Sequence, residues 1–253
     1  MRFENRVAFV TGGGRGIGQA VCKKLAGEGA AVGVADLEAN VAEETAGQIR
    51  DAGGRALALA CDVSKRDDVE AAVKRTADEF GGRIDILVAC AGILRDNLLF
   101  KMTDDDWDAV MNTHLKGSFL ASQVCQRYMV QQRYGKIVFI SSTSALGNRG
   151  QSNYSAAKMG LQGLCRTEAI ELGPFNVNVN AVAPGFIETR MTRSVAERTG
   201  QDWEQMKQDA ASRIPLRRIG QPEDVANVIA FLCSDEASYV SGQTIYIAGG
   251  PRG

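Results

Sequence analysis

Thr11-Gly12-Gly13-Gly14-Arg15-Gly16-Ile17-Gly18 follows the apolar run Val7-Ala8-Phe9-Val10 and leads into Gln19-Ala20-Val21. The run before it reads as a strand and the residues after it as a helix, so the glycines sit in a strand-to-helix turn. Glycines there let the backbone turn tightly and approach a pyrophosphate, while the free N–H groups and positive end of the helix face the phosphates. An isolated Gly-rich stretch is equally an ordinary tight loop. Its placement between a strand and a helix makes it a dinucleotide-binding signal.

Outward from that turn, strand-like segments recur at 7–10, 31–35, 56–60, 86–89, 137–140, 177–182 and 244–247. The stretches between them are long enough for crossover helices. That pattern predicts parallel pairing and a doubly wound α/β sheet, a Rossmann fold of seven strands with helices on both faces. No low-complexity linker, charge block or internal repeat interrupts the chain, and 253 residues suit one catalytic domain over 1–253.

A formal net charge of −1 offers no electrostatic case for nucleic acid or an anionic membrane as partner. No apolar stretch approaches the roughly 20 residues that span a bilayer. The first strand lies so near the N-terminus that no signal peptide fits before it. Cys22, Cys61, Cys90, Cys125, Cys165 and Cys233 are scattered with no C-x-x-C spacing, as expected of reduced thiols in a cytoplasmic protein. His114 is the single histidine, which excludes a His-rich metal site; no metal is expected.

The second chemical stretch is residues 140–158, I-S-S-T-S-A-L-G-N-R-G-Q-S-N-Y-S-A-A-K. Tyr154 and Lys158, four residues apart, share one face of a helix. A protonated lysine beside a phenol favours the phenolate, and serines at the strand end bring a hydroxyl to the same point. That is equipment for proton transfer to or from an alcohol oxygen. Alone, the pair is as compatible with a solvated helix face.

Together these motifs make the chain resemble the short-chain dehydrogenase/reductase family, over nearly its whole length. The resemblance implies NAD(P)-dependent hydride transfer between a ketone and a secondary alcohol. It assigns Tyr154 as proton donor or acceptor, Lys158 as the group that lowers its pKa and holds the nicotinamide ribose, and a strand-end serine as a bond to the reacting oxygen. Ser141 has the usual thirteen-residue spacing to Tyr154. Ser142 matches by position at the strand end and is preferred, since Ser141 should point to the other face. His114, seven residues after Trp107, occupies the family's active-site asparagine position, where a backbone carbonyl at a helix irregularity serves a proton relay. Asn112 is the alternative occupant, and a packed or surface histidine the bland reading of His114.

For the cofactor, the resemblance points to Gly12, Arg15, Gly16, Ile17 and Gly18 in the turn, and to Asp62 and Val63 against the adenine. It adds Cys90 and Gly92 after the fourth strand, Tyr154 and Lys158, Ile187 at the carboxamide, and Thr189 at the phosphates. Asp36, about 20 residues past the turn, can accept from ribose hydroxyls and would repel a 2′-phosphate. Arg15 is of a type that accompanies NADP, but no arginine follows Asp36, so NAD is favoured over NADP. Asp36 as a helix N-cap is the structural alternative. Ala89-Cys90-Ala91-Gly92 stands where the family has Asn-Asn-Ala-Gly, which removes two polar anchors.

Residues 190–213 are polar and helix-capable, a lid over the substrate, and Pro222 is placed to open the next helix. The segments 91–96 and 114–119 resemble 3-oxoacyl-acyl-carrier-protein reductases and (R)-3-hydroxyacyl-CoA dehydrogenases. They imply a thioester substrate on CoA or a carrier protein, with Arg95, Arg149, Arg190 and Arg193 near its entrance, and a homotetramer. A cyclic, steroid or sugar alcohol is the alternative substrate. A nucleotide-binding scaffold without turnover is the alternative function. The tail, Ala248 to Gly253, is less bulky than in relatives.

Overall fold

The computed structural model describes residues 1–251. The seven expected strands are β1 (Val7–Thr11), β2 (Ala31–Asp36), β3 (Arg55–Ala60), β4 (Ile86–Ala89), β5 (Gly135–Ile140), β6 (Val177–Pro184) and β7 (Thr244–Ile247). They form one sheet in the order β3-β2-β1-β4-β5-β6-β7, and every pairing is parallel. Most central strands are buried on both faces, which is why they read as continuous apolar runs. Successive residues still serve opposite layers. Val7 and Phe9 belong to one core with Leu87, Ile137 and Phe139, while Ala8 and Val10 belong to the other with Val32, Val88 and Val138.

One layer holds α1 (Gly16–Gly27), α2 (Ala39–Asp51) and α9 (Pro222–Cys233). The other holds α3 (Arg66–Glu79), α5 (Gly117–Gln132) and α6 (Ser152–Leu172), with α4 (Asp104–Met111) leading into α5. Pro222 opens α9 as expected. Between α4 and α5 the helix carries a π-turn over Asn112–Lys116, which supplies the irregularity at His114. The 190–213 segment forms two helices, α7 (Arg190–Thr199) and α8 (Trp203–Arg213). Gly200 in the left-handed region ends the first, and Asp202 caps the second. Arg252 and Gly253 lie outside the described residues. Among the described residues no helix is long and apolar enough to cross a membrane.

From β1 the chain winds outward to β3, then returns to β4 on the other side of β1. At such a switch point the loops leaving the strand ends diverge and leave a crevice. The turn with the glycines and the loop after β4 both start there.

In the α5–α6 layer, the buried Glu168 carboxylate accepts from the Ser122 hydroxyl at 2.6 Å. Burial raises its pKa to about 7. The folded state therefore holds this proton more tightly than the unfolded chain, where a glutamate titrates near about 4.3. The stabilisation is complete below that value and is lost as pH rises through about 7. Glu168→Gln keeps the neutral hydrogen bond. It is expected to gain on the order of 2 kcal/mol relative to wild type between pH 5 and 8, read as a widening difference in Tm across that range. Parallel melting curves at every pH would contradict this.

Candidate active site

The glycine turn is packed backbone on backbone. A Cβ on Gly18 would lie 2.0 Å from the Gly12 carbonyl oxygen, and one on Gly12 would lie 2.7 Å from the Ala91 Cα. Neither position has room for a side chain. Gly12 and Gly16 also take positive φ, 61° and 55°. Arg15 is the N-cap of α1 and makes no capping bond, and the first turn carries no acid, so the N–H groups there are open to an anion. Across the turn stands Thr189, its Cγ2 3.5 Å from where a Gly16 Cβ would be. Ile187 is buried, bridged to Gly220.

Asp36 ends β2 and is half-buried. Its carboxylate accepts from Gly14 N–H at 3.1 Å and from Glu38 N–H at 3.3 Å. The N-cap of α2 is Glu38, so the capping alternative for Asp36 does not hold. Arg15 is paired with Glu38 at 3.0 Å. Asp62, just past β3, accepts from the amide and hydroxyl of Ser64 at 3.0 and 2.7 Å, which holds its carboxyl below the usual range. Val63 beside it is buried against Gly117.

After β4, the two lost asparagines leave backbone amides to be satisfied. The Thr11 hydroxyl accepts from Cys90 N–H at 3.1 Å and Ala91 N–H at 3.3 Å. Burial pushes the Cys90 thiol up to about 11, which suits a packed filler and not a nucleophile.

The Ser/Tyr/Lys group converges at the end of β5. Ser141 and Ser142 point to opposite sides of the strand. Ser141 Oγ donates to the Lys158 carbonyl at 2.9 Å and accepts from Gln162 at 3.1 Å, so it is occupied inside the protein. Ser142 Oγ accepts from Ser144 N–H at 3.1 Å, and its hydroxyl lowers the pKa of the Tyr154 phenol. Lys158 is buried, its Nζ 5.3 Å from the Tyr154 ring centre and donating to the Ile140 carbonyl at 2.6 Å.

The electrostatics differ from the sequence expectation in one respect. Burial dominates the phenol and raises it to about 12, against the lowering influence of the Ser142 hydroxyl. Burial also brings the Lys158 amine down to about 8. Desolvation thus favours the neutral form of both groups.

His114 is buried in the π-turn, edge-on to the Tyr154 ring with centroids 5.1 Å apart. The surface reading of this residue does not hold. Its Nε2 lies 3.0 Å from the Ile93 amide and 2.8 Å from the Ile93 carbonyl, so it accepts from one or donates to the other according to tautomer. A Cβ on Gly92 would meet its Cε1 at 2.4 Å. Burial and Lys158 hold its pKa well below the ordinary histidine value, so the ring is neutral. Its carbonyl accepts from Ser118 Oγ at 2.7 Å. Asn112 instead lines an outer groove with Met111, Leu115 and Phe119.

Sequence reading passed over the clamp at the start of α6. Buried Asn153 donates to the Arg95 and Asp106 carbonyls, both at 3.0 Å, and accepts from Tyr154 N–H at 2.7 Å. Gln151 donates to Asp96 at 3.1 Å. Only the adjacency of Asn153 to Tyr154 could have signalled this, because its partners are some fifty residues away in the chain.

The family model described as Enoyl-(Acyl carrier protein) reductase matches residues 12–251. The short-chain reductase protein NovJ of Streptomyces niveus is 45% identical over 247 residues, 98% of this chain and 94% of that protein. The 3-oxoacyl-[acyl-carrier-protein] reductase FabG of Thermotoga maritima is 45% identical over 251 residues, 99% of each. The solved structure of levodione reductase superposes with a TM-score of 0.94 at 33% identity, covering 98% of both chains. With the same seven-stranded sheet and the match running through the glycine turn and the Tyr154 helix, this chain belongs to the short-chain dehydrogenase/reductase family, and it is an oxidoreductase acting on a ketone or secondary alcohol.

Proposed function

We propose that the protein reduces 3-oxoacyl thioesters, or oxidises the corresponding 3-hydroxyacyl thioesters, with NAD(H). The observation that carries the reaction class is the convergence of the Ser142 and Tyr154 hydroxyls beside buried Lys158. Two hydroxyls on one point suit a carbonyl oxygen that becomes an alcohol. A glycine cradle with no room for a Cβ, an open α1 N-terminus and the Asp36 carboxylate fit a dinucleotide. When bound, that cofactor supplies or accepts the hydride.

In this reading Gly12, Gly16, Ile17, Gly18 and Thr189 hold the pyrophosphate, Asp36 the adenosine ribose, Asp62 and Val63 the adenine, and Ile187 the carboxamide. Cys90 and Gly92 give it close backbone approach. Ser142 hydrogen-bonds the reacting oxygen. Tyr154 gives its phenolic proton to that oxygen in reduction and takes it back in oxidation. Lys158 reaches the nicotinamide ribose, and neutral His114 holds the Ile93 backbone beside the reacting groups. The α7–α8 lid excludes water over the substrate.

The thioester is supported by the relatives' chemistry, since one is a reductase of 3-oxoacyl chains on acyl-carrier protein. Arg95, Arg149 and Arg190 are exposed and, among the described residues, form no ion pair, so they remain free for a carrier's phosphates. Arg193 is paired with Glu188 at 2.7 Å and is a weaker candidate. A homotetramer is supported by the apolar outer groove of Met111, Leu115, Phe119 and Leu164.

Three measurements test this reading. NADH is expected to exceed NADPH in kcat/KM by about tenfold or more, because Asp36 opposes a 2′-phosphate and Glu38 already occupies Arg15. Equal values would overturn the preference. Tyr154→Phe should lose about 10²–10⁴-fold in kcat while NADH still binds with near wild-type affinity; a near-normal kcat would remove the proposed mechanism. Acetoacetyl-CoA should be reduced with a much higher kcat/KM than a simple acetoacetate ester, since the remote carrier contributes binding energy. Cyclic or aromatic ketones turned over as efficiently would leave only the reaction class.

A further inference from the structure

The 190–213 segment reaches the loop after β4 through a largely buried carboxylate. Asp96, in the loop after β4, has one oxygen, Oδ2, shared between two donors. Arg198 Nη2, in the last turn of α7, donates to it at 2.8 Å, and Gln151 Nε2, at the foot of the Tyr154 helix, donates at 3.1 Å. The other oxygen, Oδ1, is buried with no hydrogen-bond partner. The Asp96 side chain is 12% exposed and that of Arg198 45%, so the pair runs from the interior to the lid's surface. The same loop is fixed to the start of α6 by Asn153 on the Arg95 carbonyl at 3.0 Å and by Asn97 N–H on the Gly150 carbonyl at 2.9 Å.

We propose that Asp96 and Arg198 are a positioning pair that couples the seating of the 190–213 lid to the readiness of Tyr154 for proton transfer. This rests on the reading that Tyr154 moves the proton. Lys158 Nζ lies 5.3 Å from the Tyr154 ring centre and the His114 ring centre 5.1 Å from it. The loop carrying Asp96 is bonded to the start of the same helix through Gln151 and Asn153, and Cys90 and the Ser142 hydroxyl also bear on the phenol. His114 is neutral, and the Cys90 thiol, near 11, is protonated at neutral pH. Asp96 is therefore the negative charge that opposes the phenolate. Coulomb repulsion is strong where water is excluded, and a cation on the far side of the same carboxylate cancels part of it. With the lid seated, Arg198 neutralises Asp96. With the lid away, the bare carboxylate makes the phenol a weaker acid. In the reducing direction, proton donation by Tyr154 is then favoured when the site is covered.

A half-exposed ion pair adds little to global stability, so exchanging Arg198 leaves the protein folded. The test is the tyrosinate absorbance of Tyr154. It is taken as the difference between each protein and the same protein carrying Tyr154→Phe, and read by stopped-flow pH jump before alkaline unfolding. Asp96→Asn is expected to lower the midpoint by about one pH unit, and Arg198→Gln to raise it by a similar amount. Arg198→Lys, whose amine is neutral near that midpoint, should behave as Arg198→Gln does. In the Asp96→Asn background, Arg198→Gln should move it little. Unmoved midpoints, or an Arg198→Gln shift of equal size with and without Asp96, overturn the proposal even if Tyr154→Phe is inactive. A Tyr154→Phe protein that keeps its turnover overturns the underlying reading, and the coupling with it. Limited proteolysis reads the lid itself: both Arg198→Gln and Asp96→Asn should speed cleavage at the 200–202 turn, and unchanged rates would refute the seating role.

Discussion

The contact on which the rest depends is backbone against backbone where β1 and β4 part. Gly12 lies against Ala91, Gly18 lies against the Gly12 carbonyl, and the Thr11 hydroxyl ties down the amides of Cys90 and Ala91. A Cβ at either glycine would force the two loops apart. Because all seven strands run the same way, their carboxyl ends open at one edge. Asp36, Cys90, Ser142 and Ile187 are each found at or just past such an end. One close approach at the switch point therefore sets the position of groups spread over most of the chain.

Around the reacting groups, burial is the stronger force on Tyr154, Lys158 and His114. It raises the Tyr154 phenol to about 12, lowers the Lys158 amine to about 8 and keeps His114 neutral. A site in which desolvation dominates is also one where a single hydrogen bond or charge matters, since little water remains to screen it. The Ser142 hydroxyl and the Asp96 carboxylate act on the phenol in opposite directions for this reason.

The departures from the family pattern find their compensation nearby. Two asparagine side chains are missing after β4, yet the loop is held by Thr11 from below, by His114 on Ile93, and by Asn153 on Arg95. His114 demands a glycine at position 92, because any larger residue would strike its ring. The pair Gly92 and His114 is thus one steric unit.

The sequence by itself determined the architecture: seven apolar runs, their spacing, and a glycine turn placed between a strand and a helix. Periodicity and local turn chemistry are properties of neighbouring residues, so they are legible in one dimension. It also determined that Tyr154 and Lys158 share a helix face and that Asp36 ends its strand. The alternation of a strand was enough to put Ser141 and Ser142 on opposite faces. Tertiary structure alone decided that Arg15 is paired with Glu38, that burial outweighs Lys158 at the phenol, and that His114 is packed against Gly92 and Ile93. It alone brought Arg198 across to Asp96, a pair 102 residues apart. Desolvation and long-range partners depend on which surfaces meet after folding, and no spacing along the chain encodes that meeting.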